Sequence, residues 1–138
     1  MDTVDKKTRS KIMSAVGQKN TKPEMTLRRA LHNIGFRYVI NDKRLPGSPD
    51  LVFPKYKAVI FIHGCFWHQH GCKYSTKPKT RKDFWQDKFE ANKKRDRRNA
   101  LEIRKLGWRV KIVWECQLRG DSNQVHKQVS AIIKWLED

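Results

Sequence analysis

The chain has 138 residues, which is enough for one domain with a two-layer core but too short for two independent units. Its 31 Lys and Arg residues outnumber 14 Asp and Glu residues, and the net charge of +17 makes a polyanion, nucleic acid first of all, the expected partner. Because the sequence has no apolar run of membrane-spanning length, no amphipathic face suited to a bilayer and no leader, we expect a soluble intracellular protein without a membrane partner.

Residues 1–20 are rich in Lys and Arg and poor in large apolar groups. We predict that they form a basic N-terminal arm that becomes ordered on DNA, with Arg9 as a DNA contact, and that residues 21–138 form the folded domain. A frayed terminus without a binding role is the alternative.

A helix is predicted to begin at Thr21 and to end near Gly35. Thr21 suits the capping position, Pro23 fits the first turn, and Glu24 completes a capping box. The apolar face of this helix consists of Leu27, Leu31 and Ile34.

Runs of β-branched and aromatic residues predict strands over residues 36–40, 50–53, 58–62 and 108–114. Two further helices are predicted over residues 80–105, with an interruption near Asn92, and over residues 124–136. The strands over 50–53 and 58–62 are close enough in sequence to pair across a tight turn. This order of elements is typical of a single α/β domain with a central mixed β-sheet flanked by helices.

A structural zinc site is predicted from the three cysteines and one of the histidines. The predicted ligands are Cys65, His70, Cys72 and Cys116. Four thiolate and imidazole ligands form the closed tetrahedron that structural Zn²⁺ prefers, and such an ion would tie the loop after one strand to the loop after another. His63 and His68 could compete for the metal, and three unrelated thiols beside a surface histidine are the alternative.

A nuclease site is predicted around Asp50, which stands at the start of a predicted strand. Phosphodiester hydrolysis needs a divalent cation with oxygen ligands and a base that prepares water, and Asp50 is the candidate ligand for Mg²⁺. His63 and His68 are both placed to accept the proton of water, and Glu24 could orient one of them. The alternatives are a turn aspartate, a helix-capping glutamate and histidines with ordinary polar contacts.

The predicted helix over residues 80–105 is dense in positive charge. Its cationic flank includes Lys93, Arg95, Arg97 and Arg98. These side chains are candidate DNA contacts to phosphates, and a solvated helix face is the alternative.

Five segments of the chain together resemble the very-short-patch repair endonucleases, the Vsr family, over about four fifths of the length. The segments are 5–13, 45–50, 59–72, 95–98 and 106–116. Members of this family resemble a variant of the restriction-endonuclease fold, whose usual signature is Pro-Asp followed on the next strand by an acidic residue and a lysine. Phe61 and His63 occupy these last two positions here, so the chain departs from the parent signature as the family does.

The resemblance implies roles for individual residues. Asp50 is then the essential Mg²⁺ ligand, joined by the backbone carbonyl of Ile62, phosphate oxygens and waters. His68 is the general base with support from Glu24, and His63 lies near the scissile phosphate. The four predicted zinc ligands keep their assignment.

The resemblance also implies a function: Mg²⁺-dependent nicking beside the thymine of a T:G mismatch, the product of 5-methylcytosine deamination. Phe66, Trp67 and Trp85 resemble the aromatic residues that wedge into the base stack, although a core role is the alternative. The implied protein is a monomer of the bacterial cytoplasm that acts on double-stranded DNA at the nucleoid, with mismatch-repair proteins as further partners. A zinc-stabilised DNA-binding module without catalysis, and a restriction-like nuclease without mismatch preference, are the rival interpretations.

Overall fold

The computed structural model describes residues 22–65, 79–119 and 122–138. The elements in chain order are helix α1 (Lys22–Asn33), strands β1 (Val39–Ile40), β2 (Leu51–Phe53) and β3 (Ala58–His63), helix α2 (Lys82–Lys105), strand β4 (Arg109–Trp114) and helix α3 (Ser122–Glu137). Short 3-10 turns cover Pro54–Tyr56 and Glu115–Leu118. The predicted order of helices and strands is confirmed. Every helix in these three ranges is too short or too polar to span a lipid bilayer.

The four strands form one mixed sheet in the order β1-β2-β3-β4. β2 pairs with both β1 and β3 in the antiparallel direction, and only a short turn separates β2 from β3. β3 and β4 are parallel, and helix α2 provides the long connection that a parallel pair requires. The α/β class with a mixed sheet is therefore confirmed.

Alternating residues of the strands face two separate apolar cores, because successive side chains of a strand point to opposite faces. Leu51 and Ile60 face α1 and α3, whereas Val52 and Val59 pack with Ile103 of α2. The first core also takes Leu27, Leu31, Phe53, Val125, Val129, Ile132 and Leu136. The domain thus consists of a helix layer, the sheet and a second helix layer.

Helix α1 ends earlier than its apolar pattern predicts, and the predicted strand over 36–40 is reduced to Val39–Ile40. Gly35 adopts a left-handed conformation with φ of 102°, which places Ile34 in solvent at 53% exposure, so its predicted place on the apolar face is wrong. The Phe36 N–H donates to the Leu31 carbonyl at 3.1 Å and closes the helix. That donor is therefore not available for strand pairing.

Helix α2 continues without interruption through Asn92, so the predicted break is wrong. The Asn92 side chain accepts a hydrogen bond from Arg95, one turn later in the same helix. Phe89, Ala100 and Ile103 are buried on both sides of this position. Their packing outweighs the modest helix propensity of a single asparagine.

The connection between β1 and β2 is held against helix α2 at Gly47. This glycine has φ of 79°, and a Cβ atom placed there would lie 2.7 Å from Asn99 Nδ2 and 3.1 Å from Asn99 Cβ. Pro49, two residues later, is fully buried. The loop that leads into Asp50 therefore fits closely on the helix.

We expect Gly47→Ala to destabilise the protein by about 2 to 3 kcal/mol. Roughly 1 kcal/mol comes from a side chain in the left-handed region, and a further 1 kcal/mol or more comes from the overpacked Asn99 contact. Gly107→Ala is the matched control, because Gly107 also has a positive φ of 89° but nothing within 4 Å of an added Cβ. Urea unfolding of both variants measures the difference, and equal losses would contradict the close packing of this loop on α2.

Candidate active site

The sheet topology brings chemically useful residues to one edge of the sheet. β2 begins where its antiparallel neighbour β3 ends, so Asp50 lies opposite Phe61 and next to Ile62. β4 runs parallel to β3, and His63 is in register with Trp114. The start of one strand and the ends of two others therefore meet at this edge.

The Asp50 carboxylate is anchored to β3. Its Oδ2 atom accepts a hydrogen bond of 2.6 Å from the backbone N–H of Ile62, and its own carbonyl accepts one of 3.2 Å from the Asn41 N–H. The side chain and the main chain of Asp50 are thus held by two different segments. A carboxylate held in this way is already oriented before any ligand binds.

Burial raises the pKa of Asp50 from its ordinary value of 3.8 to about 7. The hydrogen bond from Ile62 opposes this rise, the nearby Glu24 carboxylate adds to it, and Arg28 opposes it. A carboxyl group with such a pKa gives up its proton readily when a cation takes the place of that proton, since the cation removes the penalty of a buried negative charge. Perturbed groups of this kind are concentrated at functional sites.

Helix α1 contributes two charged side chains to the interior. Glu24 is 2% exposed and Arg28 is 7% exposed, and Glu24 Oε1 lies 3.6 Å from Arg28 Nη1. The charges of both residues act on the pKa of Asp50, Glu24 raising it and Arg28 lowering it. Arg28 was not among the residues predicted for the site.

His63 is 6% exposed and is enclosed by aromatic rings. Its ring centroid lies 5.3 Å from that of Trp114, edge to face, and 5.9 Å from that of Phe61. Aromatic neighbours on two sides limit the rotamers of the imidazole, so its direction is set by the packing of β3 against β4.

The residues around Asp50 fit a divalent cation with oxygen ligands. The N–H and C=O of one strand residue point to the same side of the strand, so the Ile62 carbonyl faces the same edge as its N–H, which binds Asp50. Carboxylate and carbonyl oxygens are the ligands that Mg²⁺ prefers, and the remaining positions are ordinarily taken by water and phosphate. Among residues 22–65, 79–119 and 122–138 no three His, Cys, Asp or Glu side chains form a complete metal cluster.

Two of the four predicted zinc ligands lie in the described part of the chain. Cys65 and Cys116 each follow the paired residues His63 and Trp114 by two positions, at the same end of neighbouring parallel strands. Cys65 is buried at 3% exposure and Cys116 is half-buried. This placement suits a shared ion, and the zinc site stays a prediction.

Several predicted residues lie outside the described residues: Arg9, Phe66, Trp67, His68, His70 and Cys72. Their assignments as DNA contact, aromatic wedge, general base and zinc ligands remain predictions. The same holds for the capping residue Thr21.

Helix α2 presents its predicted cationic residues to solvent. Lys93, Arg95, Arg97 and Arg98 are all exposed. Exposed cations on one long helix form a surface that can follow a phosphate backbone.

Aromatic side chains cluster at the first turns of α2. Trp85 is half-buried, with its ring stacked 5.8 Å from the buried Phe89, while the Phe84 ring is 46% exposed and lies under the Arg81 guanidinium at 4.4 Å. Trp85 therefore has both a packed face and an accessible part. Phe84 is a further exposed ring that was not predicted for the site, although its position beside Trp85 is the signal that could have identified it.

The chain is similar in sequence to known proteins along most of its length. A sequence model of the family described as DNA mismatch endonuclease Vsr matches residues 1–74. The type II nicking enzyme V.XorIIP of Xanthomonas oryzae pv. oryzae is 47% identical over 117 residues, which cover 85% of this chain and 86% of that protein. The type II nicking enzyme V.NmeAIP of Neisseria meningitidis is 47% identical over 94% of this chain and 92% of its own length. The DNA mismatch endonuclease Vsr of Escherichia coli is 48% identical over 86% of this chain and 76% of its own length.

Proposed function

Because this chain belongs to the family of Vsr DNA mismatch endonucleases and is therefore a DNA endonuclease, we propose that it nicks one strand of a duplex beside the thymine of a T:G mismatch. The proposal includes Mg²⁺ as the catalytic ion and repair of deaminated 5-methylcytosine in the bacterial cytoplasm as the purpose. The observation that carries it is the Asp50 carboxylate bound to the Ile62 N–H at 2.6 Å, with the buried Glu24 nearby.

In this proposal the chain prepares a site for one reaction. Asp50 and the Ile62 carbonyl would hold Mg²⁺, which when bound would stabilise negative charge on the phosphate in the transition state. His68 takes the proton of the attacking water, with Glu24 as its support, and His63 faces the scissile phosphate. The fixed imidazole of His63 and the anchored carboxylate of Asp50 are consistent with that division of roles.

Recognition of the mismatch is proposed to rest on aromatic side chains. Phe66 and Trp67, with Trp85, would insert next to the mispair. Unstacking one base step costs a few kcal/mol and is easiest where pairing is already poor, so the wedge itself selects the mismatch. The exposed cations of α2 and Arg9 of the arm would contact phosphates and supply affinity without sequence preference.

The test compares two duplexes of one sequence, one with a T:G mismatch and one fully paired, incubated with the protein and Mg²⁺. We expect nicking of the thymine-containing strand of the mismatched duplex and at least about 100-fold slower cleavage of the paired one, from two to three kcal/mol of unstacking. Equal cleavage of both duplexes would favour a restriction-like nuclease. Binding without cleavage would favour a DNA-binding module stabilised by zinc.

The pKa of Asp50 predicts how nicking depends on pH. The cation needs the deprotonated carboxylate, so at limiting Mg²⁺ the rate should fall by about tenfold for each pH unit below 7 and become level above it. Rates measured at several pH values on the mismatched duplex test this.

A histidine base could produce a pH inflection in the same range as Asp50. Measuring the pH profile at a second Mg²⁺ concentration distinguishes the two groups. Because Mg²⁺ competes with the Asp50 proton, raising its concentration should move the inflection to lower pH, whereas the inflection of a histidine base would stay in place. An inflection that does not respond to Mg²⁺ would contradict the role of Asp50.

A further inference from the structure

Arg28 is a buried cation beside the carboxylates of the site. Residues 24, 27, 28 and 31 share one face of α1 because a helix repeats every 3.6 residues. Leu27 and Leu31 are completely buried in the core, and this face carries Glu24 and Arg28 into the interior with them. Their exposures of 2% and 7% are unusual for charged residues on a helix that borders the surface.

The contacts of Arg28 fix its position at both ends. Its Nη1 atom lies 3.6 Å from Glu24 Oε1, and its Nη2 atom contacts the Met25 sulfur. At the backbone, the Tyr38 hydroxyl donates to the Arg28 carbonyl at 2.7 Å. The guanidinium therefore has little freedom to leave the Glu24 carboxylate.

The energetics of this group differ from those of a surface pair. An exposed pair of opposite charges one helical turn apart contributes very little to stability, so it could be lost with little effect. Here the Glu24–Arg28 pair is buried, at 2% and 7% exposure, and the half-buried Asp50 is close enough for the Glu24 charge to raise its pKa. Arg28 has the opposite effect on Asp50, since its positive charge favours the ionised carboxylate.

We propose that Arg28 is a positioning residue that serves as a permanent counter-charge to Glu24 and Asp50 and keeps the site assembled before a divalent cation binds. This inference rests on the proposed function, which assigns Asp50 to the cation. The positive guanidinium compensates the negative charge of the carboxylates in the metal-free protein. A divalent ion therefore binds to carboxylates that are already correctly positioned. The cost of this arrangement is weaker metal binding, because the ion and Arg28 repel each other.

Thermal unfolding without DNA tests the proposal in three variants: Arg28→Met, Arg28→Lys and, as a matched control, Arg29→Met. Arg29 is the exposed neighbour of Arg28 on the same helix, and its replacement by Met changes the net charge by the same amount. In buffer freed of divalent cations we expect Arg28→Met to melt about 10 °C lower than the parent protein, Arg28→Lys to recover part of this loss, and Arg29→Met to lose little.

Added Mg²⁺ should then act differently on the variants. At constant ionic strength, we expect Mg²⁺ to raise the melting temperature of Arg28→Met more than that of the parent protein, with half-saturation at about tenfold lower Mg²⁺. A merely structural arginine would lower the melting temperature without changing the response to Mg²⁺. Equal Mg²⁺ responses in Arg28→Met and Arg29→Met would overturn the proposal.

A double variant distinguishes the loss of charge compensation from a general loss of folding. Glu24→Gln combined with Arg28→Met removes both charges, so it should melt higher than Arg28→Met alone. The proposal would be overturned if the double variant lost as much melting temperature as Glu24→Gln and Arg28→Met, measured separately, lose together. Failure of the parent protein to nick T:G duplexes would count against the proposed function instead, since the Mg²⁺ response of Arg28→Met is measured without DNA.

Discussion

Replacement of Asp50 by asparagine is expected to reduce nicking of a T:G duplex by on the order of 10³-fold or more, while DNA binding and folding are kept. The amide oxygen can still accept the hydrogen bond from Ile62, so the edge of the sheet keeps its shape. The variant would lack the negative charge that is proposed to hold the cation. Since burial makes that charge unfavourable in the metal-free protein, the variant should melt at the same temperature or higher.

Asp42→Asn is the matched control for this experiment. Asp42 is a buried carboxylate, at 8% exposure, whose two oxygens bind Arg44 at 2.9 and 2.8 Å, and those hydrogen bonds lower its pKa to about 2. Its loss should reduce stability and leave the nicking rate of the folded protein unchanged. Rapid nicking by Asp50→Asn on the mismatched duplex would show that the chemistry lies elsewhere.

The second large effect is expected at Cys116. If this thiolate joins Cys65 at the ends of β4 and β3 to hold zinc, Cys116→Ser should lose the bound metal, melt roughly 10 °C lower or more, and nick poorly. The physical reason is that a structural zinc ion stabilises only the folded chain. Zinc content by elemental analysis and melting temperature are the two measurements.

His32→Ala is the control. Histidine can bind zinc, but His32 is exposed on α1 and is not one of the predicted ligands. The variant should retain zinc and melting temperature. Protein purified without added metal should contain about one zinc ion per chain. Zinc-free parent protein with full stability would refute the site altogether.

The arrangement of the core could be predicted because it follows from periodicity. Strands β3 and β4 are rich in β-branched residues, and α3 has apolar residues at helical spacing, so their types and order were clear from local pattern. The predictions of secondary structure were wrong where tertiary contacts determine the local conformation. Phe36 uses its N–H to close α1, and Asn92 is held helical by the packing of residues on either side.

The candidate site was only partly predictable for a related reason. Asp50 and Ile62 belong to a recognisable motif, and the sheet brings them together. Arg28 was missed because Glu and Arg four residues apart are the usual pattern of a solvated helix face. The available signal was its position between Leu27 and Leu31, on the apolar stripe of the same helix.

The contact between Gly47 and Asn99 bears on the distance between the phosphates that the protein contacts and the bond that it nicks. Gly47 belongs to the segment that ends in Asp50, and Asn99 belongs to the helix whose outer face carries Arg95, Arg97 and Arg98. Because Gly47 packs closely against Asn99, we expect the arginines proposed to contact phosphates and the carboxylate proposed to bind the cation to keep a constant separation. On that proposal, the rigid protein rather than the flexible DNA sets the distance between the contacted phosphates and the nick.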